Sequence, residues 1–429
     1  MSTLVFLICF FSYFFVVYRL RLRFDAYIFF YICSSIYFLP VLTGLVVDWQ
    51  GVFSRNVFAT PLSGDLVRVS WYLTFLYFYL TVVLLGFQLY SVRGGRDSLE
   101  MSVSFQGKSF FLILFAATVS LFFYLYFSGL VMKYDVAEAG GSPLFILYLS
   151  LSVITIGWGV LSNSKLVAVL TLLLAVLTLA TGTRTPLAFY FFFLFLSFFF
   201  SNRESFVGYL LRRKWLGVGA VFGVSLVYIS KYIYTYLNLF GLSGFALLYD
   251  SFFGDGFCLV CGFEPALQLS IFDLVYRNET LFSGVDLGRV FVSWLALFPV
   301  PLSLFGGDSS YVSEFVRAQA LHGAGYSIAG NLLAESLLVF GFAGPLFFIP
   351  MWISLVALLN YGIRSSLRRR DPVLYLLCLI VLVNVCFFWH RYMLGSALGN
   401  IRNYIYIYIL VLGFYSVLKL ASAQGKVSK

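Results

Sequence analysis

Apolar runs of about 16 to 25 residues recur from one end of this 429-residue sequence to the other, and nothing else in it constrains the fold as strongly. A helix rises about 1.5 Å per residue, so each run can cross a hydrocarbon layer of about 30 Å. Inside that layer every backbone N–H and C=O must be satisfied within the protein, which makes such runs helical. Charged residues make up 11% of the chain, against about 25% in an ordinary soluble domain. With 51 Phe, 30 Tyr and 7 Trp, there is more aromatic surface than one water-soluble core can bury. The expected fold class is therefore an all-α polytopic membrane protein, in a single integral membrane domain covering residues 1–429.

Crossings are expected near residues 2–18, 26–47, 69–91, 109–129, 142–161, 166–181, 186–200, 215–237, 329–361, 372–389 and 403–420. That is about 11 transmembrane helices, within a range of ten to thirteen. With the N-terminus outside, the inner segments hold eighteen of the 28 Lys and Arg and only five of the 18 Asp and Glu. The positive-inside rule selects this orientation and places the C-terminus in the cytoplasm. The net charge of +10 is thereby explained by topology, and nucleic acid is not an expected partner. The first run has neither a basic leading region nor a small-residue cleavage site, so it reads as a retained helix.

One long interval, 231–330, falls outside. It contains eight acidic residues, and a structureless stretch of that length is abnormal in a compact protein. Short helices are expected there, covering an external cavity. Residues 290–305 are apolar but interrupted by Pro299 and Pro301, which suits a re-entrant or surface-lying segment.

The external cations are the informative set. Arg184 lies in Thr181-Gly182-Thr183-Arg184-Thr185-Pro186, a hinge between two very apolar helices, where a guanidinium is a functional candidate by default. Anchoring on outer-leaflet headgroups is its plain alternative. With Arg289, Arg317, Arg391 and Arg402 it forms a set suited to bidentate phosphate binding. The two histidines, His322 and His390, both map to the outer edge, where either imidazole can take a proton from a hydroxyl near neutral pH. His322 opens a Gly-rich stretch leading to Asn331 and Glu335, which share a helix face. A carboxylate opening an apolar helix needs a partner or a wet cavity. Tyr326, with Trp294, Tyr311 and Tyr392, can stack on a sugar face or serve as an interfacial belt residue. Cys258 and Cys261 are the one close thiol pair; Cys9, Cys33, Cys378 and Cys386 fall in expected helices as packing residues. No metal site is expected, because Cys258 and Cys261 lack two further ligands nearby. No phosphate-binding glycine loop, dinucleotide fingerprint or serine-hydrolase elbow occurs, so no nucleotide or other cofactor is expected.

This pattern resembles the bacterial O-antigen polymerase (Wzy) family, which is related to the O-antigen ligases. The resemblance rests on ten or more spans, the Gly182-Thr183-Arg184 hinge, the large external loop, and His322 leading into Asn331-Leu-Leu-Ala-Glu335-Ser-Leu-Leu-Val-Phe-Gly341-Phe-Ala-Gly344. Some members carry an Arg-x10-Gly motif; Arg277 with Gly288 and Arg402 with Gly413 have that spacing, about as many as chance provides. The resemblance implies polymerisation, at the periplasmic face of the bacterial inner membrane, of oligosaccharide repeat units carried on undecaprenyl pyrophosphate. Donor and acceptor are then both lipid-linked, and no nucleotide sugar is needed. It implies His322 as base, with Glu335 orienting it or acting itself. It further implies that Arg184, Arg277, Arg289, Arg317, Arg391 and Arg402, with Asn331 and Tyr326, hold pyrophosphate or sugar. A chain-length-regulating co-polymerase and a flippase of the same pathway are the implied protein partners. Two alternatives stay open: a ligase that uses similar parts, and a lipid-linked oligosaccharide flippase, which should show repeated halves that are not evident here.

Overall fold

The computed structural model describes residues 2–39, 66–93, 104–105, 108–130, 142–181, 183–202, 204–213, 264–278, 284–298, 311–320, 331–390 and 394–427, with single positions 215, 219, 243 and 246. The protein is an all-α polytopic membrane protein, and seven of its described helices are long and apolar enough to cross a membrane.

The chain opens with α1 (Ser2–Arg19), α2 (Ala26–Phe38), α3 (Leu66–Arg93), α4 (Lys108–Phe127), α5 (Pro143–Val160), α6 (Lys165–Leu177), α7 (Thr185–Phe200) and the short α8 (Phe206–Arg212). The long interval 231–330 contains α9 (Glu264–Arg277), α10 (Leu287–Ser293) and α11 (Tyr311–Ala320). The chain closes with α12 (Leu332–Phe340), α13 (Gly344–Arg369), α14 (Pro372–Cys386) and α15 (Leu394–Val427). Seven of the expected spans fall on candidate membrane helices, the described parts of 26–47, 166–181 and 186–200 fall on shorter apolar helices, and 215–237 lies almost entirely outside the described residues.

Local sequence sets the helix starts. Pro143, Pro186, Pro345 and Pro372 occupy first-turn positions, where a missing N–H costs nothing. Asp25 caps α2 and Asp371 caps α14, each side chain accepting from first-turn backbone N–H groups.

Two expectations need correction. The crossing expected over 329–361 falls within one apolar stretch, Leu332–Arg369, but its helix is not continuous: α12 ends at Phe340, a 3-10 turn covers Gly341–Ala343, and α13 starts afresh. Gly341 has φ +62° and ψ −158°, a conformation closed to residues with a Cβ. At Gly344 an added Cβ would strike the backbone carbonyl of Ser336, so only glycine lets the two helices meet this closely. The last crossing begins at Leu394 rather than at 403, which puts Arg402 within a helix instead of an outer loop.

Lipid is as apolar as a leucine side chain, so helices associate here by close packing rather than by a hydrophobic drive. The centre of the bundle shows this. α5 touches α4, α6, α7 and α15, and a Cβ at its Gly157 or Gly159 would collide with Leu376 and Phe193 or with Thr171 and Phe111. α13 packs along α14, α3 and α2. Rings fill the remainder: Tyr13 stacks on Tyr31 and Phe105 on Trp158, both at 3.7 Å. The four described cysteines are buried and free, as packing residues should be; Cys258 and Cys261 lie outside the described residues.

Candidate functional site

The expected carboxylate forms the centre of the best-defined polar site at the end of the bundle that carries the 264–320 helices. Asn331 starts it. Its extended backbone (φ −145°, ψ 115°) and its Oδ1, which accepts from Leu333 N at 2.9 Å and Ala334 N at 3.3 Å, make it the N-cap of α12. The remaining amide is also engaged, Nδ2 donating to the backbone oxygen of Gln268 on α9 at 2.9 Å. Asn331 therefore caps a helix and ties a loop helix to a membrane helix, both at once.

That cap points α12 so that Glu335, one turn in, is 5% exposed. Its Oε2 accepts the backbone N–H of Leu394, the first residue of α15, at 2.5 Å. The positive end of the α12 dipole favours a carboxylate at this point. The partner that the sequence demanded is thus a backbone amide 59 residues away. Beside it, α12 touches the 3-10 turn Phe388–His390. His390 is buried, stacked at 4.7 Å on Tyr37 of α2, with Trp389 at 3.9 Å and Phe38 edge-on at 5.7 Å. This aromatic box is the plainer of the two readings open to His390, a packed core histidine.

The loop helices are fixed onto this end. Asp273 is fully buried and meets Arg277 at 2.6 Å, one turn on along α9. Tyr72 of α3 donates to the Phe342 carbonyl at 2.6 Å, and its ring lies against Phe272 and Tyr276 of α9. α9 thereby sits against the glycine break between α12 and α13. The described part of the expected 290–305 segment is helical over 287–293, closes in a 3-10 turn over 294–297, and exposes Phe291 and Phe298; 299–305 lie outside the described residues.

The expected arginines divide by element. Arg277 is engaged by Asp273. Arg289 lies 3.5 Å from Asp286 and over the Tyr311 ring at 5.6 Å, linking α10 to α11. Arg402 reaches Asn403 Oδ1 at 3.3 Å and the Phe298 carbonyl at 3.5 Å, linking α15 to the 3-10 turn after α10. Arg184 is half-buried at the start of α7, where Thr181 and Thr183 share a hydroxyl contact of 3.0 Å. Arg317 lies on α11. The side chain of Arg317 lies outside the described residues, and so do His322, Tyr326 and Arg391.

What the arrangement can do chemically centres on Glu335: a buried carboxylate, its Oε2 held by the Leu394 amide, at a junction of α12, α15 and the His390 turn. Sequence reasoning missed Gln268, buried under the Asn331 cap, and Leu394, whose contribution is an amide proton that no side chain signals. Among the described residues no group of three His, Cys, Asp or Glu is placed to hold a metal ion. No protein-family model, curated protein or solved structure matches this chain.

Proposed function

We propose that this protein joins oligosaccharide repeat units carried on undecaprenyl pyrophosphate into O-antigen or a related surface polysaccharide, at the periplasmic face of the bacterial inner membrane. The observation that carries the reading is Glu335, a carboxylate buried where an apolar helix begins and fixed by the Leu394 amide. A charge in that setting is expensive, and a pathway or a proton-transfer role is the usual return.

In the reaction, a base takes the proton of the acceptor sugar hydroxyl. The hydroxyl oxygen then bonds to the anomeric carbon of the donor. The bond from that carbon to the pyrophosphate oxygen breaks, and undecaprenyl pyrophosphate leaves with the electron pair. His322 is the proposed base, with Glu335 orienting it or taking the proton itself. Arg184, Arg277, Arg289, Arg317, Arg391 and Arg402 are proposed to neutralise the leaving pyrophosphate, with Asn331 and Tyr326 on the sugar side. The leaving group is already activated, so this chemistry calls for no nucleotide. A flippase supplying the lipid-linked unit and a co-polymerase setting chain length belong to the same proposal.

A surface-polysaccharide gel of a strain lacking the protein tests the reading. Lipid A core bearing a single repeat is expected. Bare core, with polymer stranded on its lipid carrier, would replace polymerase by ligase, and undiminished polymer would overturn both. Arg184→Ala and His322→Ala should each abolish polymer at unchanged membrane level; full-length polymer from both would remove them from the site.

A further inference from the structure

The opposite end of the bundle holds a cavity that the polymerisation chemistry does not use. Its volume is about 1060 Å³, at the upper end of the range for small-ligand sites. Arg19 at the end of α1, Arg21 and Arg23 from the α1–α2 connection, Arg212 of α8, and Arg364 and Arg368 of α13 line it. Two carboxylates, Asp25 and Glu204, face these six guanidiniums. Leu20, Leu22, Phe24 and Phe200 add apolar wall. An excess of arginine at one membrane surface follows from topology, but topology does not require a concave site built from three distant segments.

Three observations make it a constructed site. First, Arg364 is aimed. Its Nη2 lies 3.8 Å from Asp25 Oδ2 and its Nη1 donates to Ser91 Oγ at 3.2 Å. Asp25 is buried and is itself held by Gln88 Nε2 at 3.2 Å to each oxygen and by Ile28 N at 3.0 Å. Tyr13 donates to Gln88 Oε1 at 3.0 Å, so the chain of contacts reaches into the helix core. Second, the rim is pinned: Phe206 N of α8 donates to Leu22 O at 3.0 Å, and Ala26 N donates to Asn360 Oδ1 of α13 at 3.3 Å. Third, Arg21 has φ +51°. It occupies the left-handed position after α1, with Arg21 N donating to Tyr18 O and Leu22 N to Val17 O, where glycine would fit without strain. The same left-handed turn ends α13 at Arg370, so what sets Arg21 apart is that it lines the cavity.

We infer that this cavity binds a phosphate-bearing anion, with Arg364 as the positioned fork and Arg19, Arg21 and Arg212 as the outer contacts. A planar guanidinium offers phosphate two parallel hydrogen bonds, and six of them around one concavity fit a phosphate group better than a single carboxylate. The phosphate comes either from an anionic lipid headgroup, whose chains the apolar wall accommodates, or from a soluble phosphate compound.

The test uses the full chain in two arms. In the lipid arm, native mass spectrometry of the protein in detergent with added phosphatidylglycerol counts lipids retained. In the soluble arm, inorganic pyrophosphate is titrated calorimetrically onto protein in phosphatidylcholine nanodiscs. One arm at least should show binding, and the exposed triple variant R19Q/R21Q/R212Q should weaken it about tenfold or more. Arg21→Gly is the control for folding: it should melt no lower than the parent, because glycine relieves the strained φ, yet bind about threefold or more weakly. Lipid retention alone assigns a headgroup; pyrophosphate binding alone assigns a soluble ligand. No binding in either arm, or equal binding by parent and variants, overturns the inference.

Discussion

Two buried carboxylates, Glu335 at one end of the bundle and Asp25 at the other, are almost equally hidden from solvent but are held in different ways. Asp25 caps α2 and is surrounded by side chains, with Gln88 on both oxygens and Arg364 alongside. Among the described residues Glu335 has one hydrogen-bond partner, the backbone amide of Leu394. A carboxylate enclosed by a donor network is built into the architecture. One tied at a helix junction by a backbone amide is held by main chain instead. The difference sets a structural role for the first beside the reactive role proposed for the second, and each can be broken by experiment.

The largest effect is expected at Glu335. Glu335→Gln keeps an oxygen for the Leu394 amide but removes the charge, so polymer should fall about 100-fold or more with protein level unchanged on an immunoblot. Polymer of normal length and amount would show that the carboxylate is only a clamp. Next comes the glycine break that aims α12. Gly344→Ala drives a Cβ into the Ser336 carbonyl and should cost about 1–3 kcal/mol, read as a lower melting temperature in detergent. A parent-like melting curve would mean that α12 and α13 can part without loss.

Asp25→Ala removes a helix cap and leaves Gln88 without its acceptor. A loss of about 1–2 kcal/mol in thermal stability is expected, with polymer length retained, which is the reverse of the Glu335 outcome. Short polymer at full stability would erase the contrast between the two ends. The smallest effect concerns pH. Burial raises the Asp25 carboxyl above its usual 3.8, an effect offset in part by the Ile28 amide, the Arg364 charge and Gln88. A carboxyl with a raised pKa in the folded protein favours folding in its protonated form. That contribution is fully present below the ordinary value and fades as pH rises through the raised one. Asp25→Asn should flatten this slope, so the melting temperature of the parent should fall relative to that of the variant as pH rises through the raised value; parallel curves would place the titration elsewhere.

The membrane helices were legible because the signal is local. A run such as 372–389 is uniformly apolar, and its cap, Asp371 followed by Pro372, sits beside it in sequence. The short helices of the 231–330 interval were legible only as a requirement of compactness, and α9, α10 and α11 meet it. The break at Gly341–Ala343 was hidden, because apolar residues flank it on both sides and hydropathy continues across it. Its two glycines became informative once Gly341 had a positive φ and Gly344 met a carbonyl. For the site, Glu335 and Asn331 stood out as polar residues at the start of an apolar helix. The arginine set did not rank itself, because a guanidinium near a membrane surface looks the same whether it anchors, pairs or binds.

The sequence by itself determined that this is an all-α membrane protein and where most of its described helices begin and end. These follow from transfer of each residue between water and lipid, which depends on the residue and its near neighbours alone. Only the tertiary structure decided that Glu335 meets Leu394, that Asp25 aligns Arg364, and that six arginines from three segments share one cavity. Those pairings depend on which helix faces fit together. Helices that are apolar all round carry little record of that choice until they pack.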